Sequence, residues 1–235
     1  MTRAAAPKSA ALDDGSPDGR STRWDDHNAD RRERILAAAI ELVQQSGGDV
    51  AVRDIAERAG VPRSVVYRIF RDRDDLDEQL RTEIIGRLMR VLSPVLEPHG
   101  TIREAIDIAA TTYVSWVSEN PLLHQFLGFS PAKRTAPGSR VVSGTRIAVS
   151  RRLQALIEAG VTRAGGDPAI AEPLAFGVVG LVDGAVNRWV HRADGAFSAE
   201  QLSEFLAESI WVMLTTHGAH QGIVLTADTR ASDLF

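Results

Sequence analysis

The chain has 235 residues, no cysteine and a formal net charge of -4 at pH 7. The length suffices for one large or two modest domains, and the lack of cysteine excludes disulfides, thiolate metal ligands and a cysteine nucleophile. Because the chain is slightly acidic overall, a polyanionic partner would have to meet a local basic patch. We expect a cytoplasmic protein with no membrane partner, since no window approaches the roughly 18 apolar residues of a membrane span and the N-terminus lacks the apolar core of a signal peptide.

The N-terminal residues 1–27 are rich in Ala, Ser, Pro, Gly and Asp and lack apolar periodicity, which predicts a disordered or extended arm. Order is predicted from residue 28, because apolar residues recur at helical spacing between Ile35 and Val43. Gly47 follows this first helix and can supply the left-handed geometry of a C-cap.

Two short helices joined by Gly60 are predicted next. The first has an apolar stripe at i, i+3, i+4, i+7 spacing, formed by Val52, Ile55, Ala56 and Ala59. The inner side of the second is formed by Val65, Val66, Ile69 and Phe70. Its other side, called the cationic stripe below, consists of Ser64, Tyr67, Arg68 and Arg71. Two short helices around a Gly-containing turn are typical of a helix-turn-helix unit, whose second helix enters the major groove of DNA.

The helix-turn-helix segment is locally cationic. Between residues 50 and 73 there are six arginines and three acidic residues. This excess predicts contact with phosphates or bases. The alternative is a solvated, charged helix face, and Tyr67 could instead be a half-buried core residue.

The rest of the chain is also predicted to be helical. Asp72 is a candidate N-cap for the fourth helix, Thr101 and Glu104 have capping-box spacing at the start of the fifth, and Ser198 caps the last. These helices occupy residues 73–92, 101–120, 121–129, 140–161, 167–192 and 198–217. From Gly218 onward we predict a frayed tail. No alternation typical of strands is present, so the predicted class is all-α with about nine helices.

The helix-turn-helix segment resembles the DNA-binding domain of the TetR family of bacterial transcriptional repressors over roughly residues 30–80. The residues that carry the resemblance are Ile55, Ala56, Ala59, Gly60, Val61, Tyr67, Phe70, Asp72 and Leu76. The resemblance implies a DNA-binding domain at residues 28–76 and a helical ligand-binding and dimerisation domain at 77–217, followed by a tail at 218–235. It also implies a homodimer bound to an operator, associated with the nucleoid while on DNA.

By the same resemblance, the residues expected to contact DNA are Arg53, Arg63, Ser64, Val65, Tyr67, Arg68 and Arg73. The sequence departs from the family pattern at Val65, which could touch a thymine methyl group, and at Ile69. It departs also at Ala51, where the family has a Thr cap, and this favours Asp49 as a substitute cap. Further contacts from the N-terminal arm are an open alternative for Arg20, Arg23, Arg31 and Arg32.

The eighth predicted helix carries Gly177, Gly180 and Gly184 on one face. This spacing permits the close approach of another helix, either within the chain or from a second copy. The family layout favours the second reading, a two-fold interface of four helices made by the last two helices of each chain.

A regulatory ligand would need an apolar cavity with few polar groups. The candidates are Tyr113, Trp116, His124, Phe126, Arg146, Asp183 and Asn187, each of which could alternatively be a structural contact. We expect a mostly hydrophobic small molecule, acyl or aromatic, that releases the repressor from its operator, and we expect no cofactor and no metal site.

Other classes of function are less well supported by the sequence. Ser130 and Lys133 form a Ser-x-x-Lys match, but the companion motifs of such an enzyme are missing, so we interpret it as chance. A helical interaction module with a degenerate helix-turn-helix is the second alternative. An activator that uses the same DNA-binding head is the third.

Overall fold

A computed structural model of the chain describes residues 19–48, 50–97, 99–128, 139–192 and 197–234, with side chains from residue 28 onward. Ten α-helices and no strand beyond one isolated bridge are found in these residues, which confirms the all-α prediction. The helices are α1 (Gly19–Ser46), α2 (Val52–Arg58), α3 (Arg63–Ile69), α4 (Arg73–Leu92), α5 (Ile102–Glu119), α6 (Pro121–Gly128), α7 (Arg140–Arg163), α8 (Ala171–Val190), α9 (Ala199–His220) and α10 (Ala231–Leu234). Short 3-10 turns follow α4 at Ser93–Leu96 and precede α8 at Pro168–Ile170.

The first helix is longer than predicted. It begins at Gly19, so residues 19–27 are helical in place of the extended arm expected there. Residues 1–18 lie outside the described part of the chain. At the other end, Gly47 has a φ of 83° and its N–H donates to the carbonyl of Val43 at 2.9 Å, as a left-handed C-cap requires.

Three helices form the N-terminal core. Ile35 and Ile40 on α1 are fully buried against Ile55 of α2 and Val66 of α3. Phe70, directly after α3, is 1 % exposed and closes this core. A charged contact supports the packing at the surface, where Arg58 of α2 donates to Glu41 of α1 at 3.0 Å. These contacts fix the orientation of the short helix α3, which has only two turns of its own.

Helix α4 begins at the predicted cap, since the Asp72 side chain accepts a hydrogen bond from the N–H of Asp75 at 2.8 Å. Its buried face continues the N-terminal core through Leu76 and Leu80 and reaches the C-terminal helices through Ile84. The two halves of the chain therefore share one continuous core.

The C-terminal helices pack mainly as two pairs, α5 against α9 and α7 against α8. The predicted capping box of α5 is present, because Thr101 accepts from the N–H of Glu104 at 3.1 Å and Glu104 accepts from the N–H of Thr101 at 2.9 Å. A cavity lies between these pairs and α4.

The expectation that no segment is apolar enough to span a membrane was wrong. The segment Pro168–Val190, which includes α8, is long and apolar enough by composition to cross a membrane. In this fold it is a packed helix of the C-terminal half, yet only 28 % of its most apolar window is buried. Helix α8 therefore presents an exposed apolar face.

The prediction of a frayed tail from Gly218 was also wrong for the described residues. Helix α9 continues to His220, and the segment after it returns to the start of α5. The carbonyl of Thr229 accepts from the N–H of Ile102 at 2.9 Å, and the N–H of Ala231 donates to the carbonyl of Gly100 at 3.0 Å. These bonds hold the tail against the start of α5.

The packed tail predicts unequal effects of substitution at two neighbouring residues. Ile223 is 9 % exposed and Val224 is 80 % exposed. We expect Ile223→Ser to lower the free energy of unfolding by about 2 kcal/mol, because it removes buried apolar surface. The control Val224→Ser should change it by less than about 0.5 kcal/mol. Urea unfolding of both variants measures the difference, and equal effects would contradict the packing of the tail.

Candidate functional site

The turn between α2 and α3 sets the angle of the third helix. Gly60 has a φ of 65°, a conformation that suits glycine, and the N–H of Val61 donates to the carbonyl of Ala56 at 3.0 Å. Pro62 precedes α3 with a φ of -60°, so the helix starts from a fixed backbone angle. Val66 then anchors α3 in the core.

The cationic stripe of α3 faces outward. Its four residues, Ser64, Tyr67, Arg68 and Arg71, are all exposed. The Tyr67 side chain is 46 % exposed, so the alternative of a half-buried core tyrosine does not hold. A second chain or a nucleic acid can therefore reach this face without a rearrangement of the domain.

Two arginines on this side have different surroundings. Arg63 donates to the hydroxyl oxygen of Tyr67 at 3.0 Å, and its guanidinium lies 5.3 Å from the centre of the tyrosine ring. This contact orders both side chains on the open face. Arg71 pairs with Asp75 at 3.5 Å, whereas Arg68 has no ion pair among the described residues. Arg68 is thus the member of the stripe whose charge is least compensated.

The other predicted DNA-contacting residues are less uniform. Arg53 is exposed and pairs with Asp54 at 3.2 Å, and Val65 is half-buried. Arg73 is held inside the protein, where it bonds to Asp77 at 2.9 Å and to the carbonyl oxygen of Val50. Its side chain is 33 % exposed, so a phosphate contact from Arg73 would compete with this structural role.

Several other expectations concern the same region. Ala51 occupies the N-cap position of α2 without a side-chain hydrogen bond, and the substitute cap Asp49 lies outside the described residues. Ile69 is half-buried. Among the arm residues, Arg32 lies 5.9 Å from the centre of the Phe70 ring, while the side chains of Arg20 and Arg23 lie outside the described part.

A cavity of about 320 Å³ lies in the C-terminal half, among α4, α5, α6, α7, α8 and α9. Five of the seven predicted ligand residues line it: Tyr113, His124, Arg146, Asp183 and Asn187. Trp116 and Phe126 do not, because both are buried in the core. The guanidinium of Arg81 lies 5.1 Å from the centre of the Phe126 ring. Aromatic character alone thus did not distinguish a core residue from a cavity residue.

Sequence reasoning missed most of the aliphatic wall. Helix α7 contributes Val149, Leu153, Leu156 and Ile157 to the cavity. Their i, i+4, i+7, i+8 spacing indicated an apolar face, but the same spacing also describes a helix packed into a core. Ser130 and Lys133, the residues of the enzyme alternative, lie outside the described residues.

Four of the polar residues that line the cavity form two pairs. The hydroxyl of Tyr113 lies 3.1 Å from Nε2 of His124, and Arg146 pairs with Asp183 at 2.7 Å. Burial lowers the pKa of His124 to about 4, with smaller effects from His191 and Arg146. Burial also raises the pKa of Tyr113, and the charge of Asp183 adds to this effect. Both groups are therefore uncharged at neutral pH, and the tyrosine can donate to Nε2.

The glycine face of α8 has few neighbours within the chain. A Cβ atom at Gly180 or Gly184 would meet no described atom within 4 Å, whereas one at Gly177 would lie 3.8 Å from the sulfur of Met213. On the neighbouring helix α9, Phe205 and Val212 are also exposed, at 47 % and 50 %. Close packing within the chain therefore accounts for only the first of these glycines.

Comparisons with known proteins relate both halves of the fold to transcriptional regulators. Residues 35–80 match the sequence model of the family described as bacterial regulatory proteins, tetR family. An uncharacterised HTH-type transcriptional regulator of Mycobacterium tuberculosis is 28% identical over 202 residues, which cover 84% of this chain and 82% of that protein.

Two solved structures share the fold. A tetR-family transcriptional regulator from Streptomyces coelicolor has a TM-score of 0.64 and 17% identity, covering 81% of this chain and 86% of that chain. The regulator FadR from Bacillus subtilis, solved in complex with stearoyl-CoA, has a TM-score of 0.57 and 20% identity, covering 76% of this chain and 96% of that chain. None of these relatives is described as an enzyme.

The buried imidazole of His124 predicts a pH-dependent stability. Its pKa is about 4 in the folded chain and 6.5 in the unfolded chain, so between these values only the unfolded chain binds the proton. The free energy of unfolding should thus fall as the pH drops through this range, by up to about 3 kcal/mol.

Urea unfolding between pH 4.5 and 7 measures this effect. We expect His124→Gln to flatten the pH dependence relative to the wild type, while the exposed control His99→Gln should leave it unchanged. Parallel pH profiles for the wild type and His124→Gln would contradict the assignment.

Proposed function

The chain belongs to the TetR family of bacterial regulatory proteins, and from that premise we propose that it is a ligand-responsive repressor. Like the family as a whole, it is a DNA-binding transcriptional regulator. The finer proposal is that a homodimer binds a two-fold operator in the cytoplasm and leaves it when a mostly hydrophobic small molecule occupies the cavity. The observation that carries the proposal is the exposed cationic stripe of α3.

The contacts of the DNA-binding head support the proposal. The side chains of the stripe point away from a well-packed core, and Arg68 lacks a carboxylate partner among the described residues. An arginine without an ion pair contributes most to the free energy of DNA binding when it contacts a phosphate or a guanine edge, because no internal ion pair has to be broken. Arg53, Arg63, Ser64 and Tyr67 are exposed as well, and Val65 is half-buried on α3. All five remain candidates for DNA contact.

The exposed face of α8 and α9 supports a homodimer. The residues at its centre, Gly180 and Gly184, leave room for a helix of a second copy, and Phe205 and Val212 would be covered by it. A two-fold axis through this face would present two α3 helices to one duplex. Successive major grooves on one side of a duplex lie about 34 to 36 Å apart, so the dimer geometry determines whether both helices bind.

The cavity supports control by a small molecule. Its walls are mostly aliphatic, and its size falls in the range of small-molecule sites. The relative FadR binds stearoyl-CoA, which agrees with an acyl or other apolar ligand here. The ligand would stabilise a conformation in which the α3 helices are wrongly spaced for DNA, and a coupling of about 1 to 3 kcal/mol suffices for release.

DNA binding is tested by selecting genomic fragments with the purified chain and measuring affinity by fluorescence anisotropy. We expect Arg68→Ala to weaken binding by at least about tenfold and to reduce the salt dependence, because it removes one contact to the duplex. The control Arg151→Ala removes the same charge from an exposed site on α7 and should bind like the wild type. A wild-type chain that binds no fragment at modest salt would instead indicate an interaction module.

The dimer is tested with two glycine variants. Gly180 lies on α8 and Gly144 on α7. A Cβ atom at either position would have no described atom within 4 Å, so both positions tolerate a side chain within one protomer. We expect Gly180→Arg to convert the dimer to a folded monomer, since the arginine blocks the helix of the partner. Gly144→Arg should stay dimeric. Analytical ultracentrifugation distinguishes the two, and a monomeric wild type at tens of micromolar would refute the interface.

A further inference from the structure

We propose that the cavity binds an elongated, uncharged molecule with a single hydrogen-bonding head group, and that it discriminates against molecules with an ionised head. The head would lie beside Tyr113 and Asn187, and the apolar chain would extend toward Ile102 and Ile157. This inference rests on the proposed function, because it specifies the chemistry of the ligand in the same cavity.

The shape of the cavity follows from the positions of its lining residues along the helices. On α7 these residues extend from Val142 to Ile157, a length of about 22 Å at the rise of an α-helix. On α5 they extend from Ile102 to Tyr113. An apolar lining that extends over this length suits a chain-like molecule better than a compact one.

The polar groups that face each other across the cavity collect at one end, whereas Arg152 turns to the surface carboxylate of Glu97 at the other end. Tyr113 is the last residue of α5 in the lining, and it bonds to His124 of α6. Asp183 and Asn187 are the last lining residues of α8, and Asp183 is joined to Arg146 near the start of α7. The opposite end is formed by aliphatic residues such as Ile102, Ile157 and Val178. A bound amphiphile therefore has one favoured direction.

The charges that line the cavity are already neutralised. The ionised residues among the lining are Arg146, Arg152 and Asp183. Arg146 pairs with Asp183 at 2.7 Å, and Arg152 pairs with Glu97 at 3.1 Å. A carboxylate head that approached Arg146 would also be repelled by Asp183. An ammonium head that approached Asp183 would be repelled by Arg146. The Arg146 and Asp183 side chains are 46 % and 30 % exposed, so either ion would lose part of its hydration and would gain no unpaired counter-ion.

Neutral hydrogen-bonding groups are available for an uncharged head. The Asn187 side-chain amide has no hydrogen-bond partner among the described residues, so it can both donate and accept. The Tyr113 hydroxyl lies 3.1 Å from Nε2 of His124; when it donates to that nitrogen, its lone pairs stay available for a donor on the ligand. A hydroxyl head can use both groups, and an ester or amide carbonyl can accept from Asn187.

The test uses three probes of equal chain length, decan-1-ol, decanoate and decylammonium, with the full-length chain at pH 7.5. Isothermal titration calorimetry measures each affinity. We expect decan-1-ol to bind at least about tenfold more tightly than either ion, because the ions pay an uncompensated desolvation penalty.

Two variants and their matched controls separate this charge effect from a general change in the cavity. Asp183→Asn leaves Arg146 unpaired, so decanoate should gain at least about tenfold relative to decan-1-ol. Arg146→Gln leaves Asp183 unpaired, so decylammonium should gain instead. The controls Glu158→Gln and Arg151→Gln remove equal charges from exposed positions of α7 outside the cavity and should keep the wild-type order of affinities. A variant with only a damaged cavity would weaken all three probes together.

Three results would overturn the inference: tighter binding of either ion by the wild type, no binding of any probe, or an unchanged order of affinities in both variants. Operator binding of the same protein samples is measured in parallel by fluorescence anisotropy. Retained operator binding with any of these results rejects the ligand class alone. Loss of operator binding by the wild type rejects the proposed function.

Discussion

The partly buried ion pair between Arg73 and Asp77 fixes the start of α4, the helix that joins the DNA-facing head to the cavity. Asp77 is 3 % exposed on α4, and Arg73 bonds to it from the preceding turn at 2.9 Å while donating to the carbonyl of Val50. Burial raises the pKa of Asp77, whereas the charges of Arg73 and Arg81 oppose that rise. Because Arg73 bonds to both Asp77 and the carbonyl of Val50, the pair ties the start of α4 to the segment that enters α2.

Helix α4 connects the site that faces DNA to the cavity as one rigid element. Near its start it packs into the N-terminal core through Leu76, mainly against α1, and three turns later Ile85 and Leu88 form part of the cavity wall. A second connection runs through Glu78, which accepts a hydrogen bond from the N-cap Ser139 of α7 at 3.2 Å. A ligand that displaces α7 or the end of α4 would thus act on the helix that positions the cationic stripe. This continuity supports release by population shift.

Helix α8 has a comparable double role in the C-terminal half. One side contributes Val178, Val182 and Asp183 to the cavity, and the other side exposes Gly180 and Gly184. Occupancy of the cavity and the geometry of a dimer would therefore be coupled through a single helix. Because α8 has apolar residues on both of these sides, it is apolar enough to resemble a membrane span although it belongs to a packed helical fold.

The sequence by itself determined the helices, the caps at Asp72 and Thr101, and the cationic side of α3, because these depend on local spacing and on hydrogen bonds within one turn. It did not determine the packing of residues 221–234 on α5, since such contacts join segments far apart in the chain. It also did not separate Phe126, which is core, from Tyr113, which lines the cavity. Only the tertiary structure decided these points, because the side of a helix that meets a void depends on how its neighbours pack.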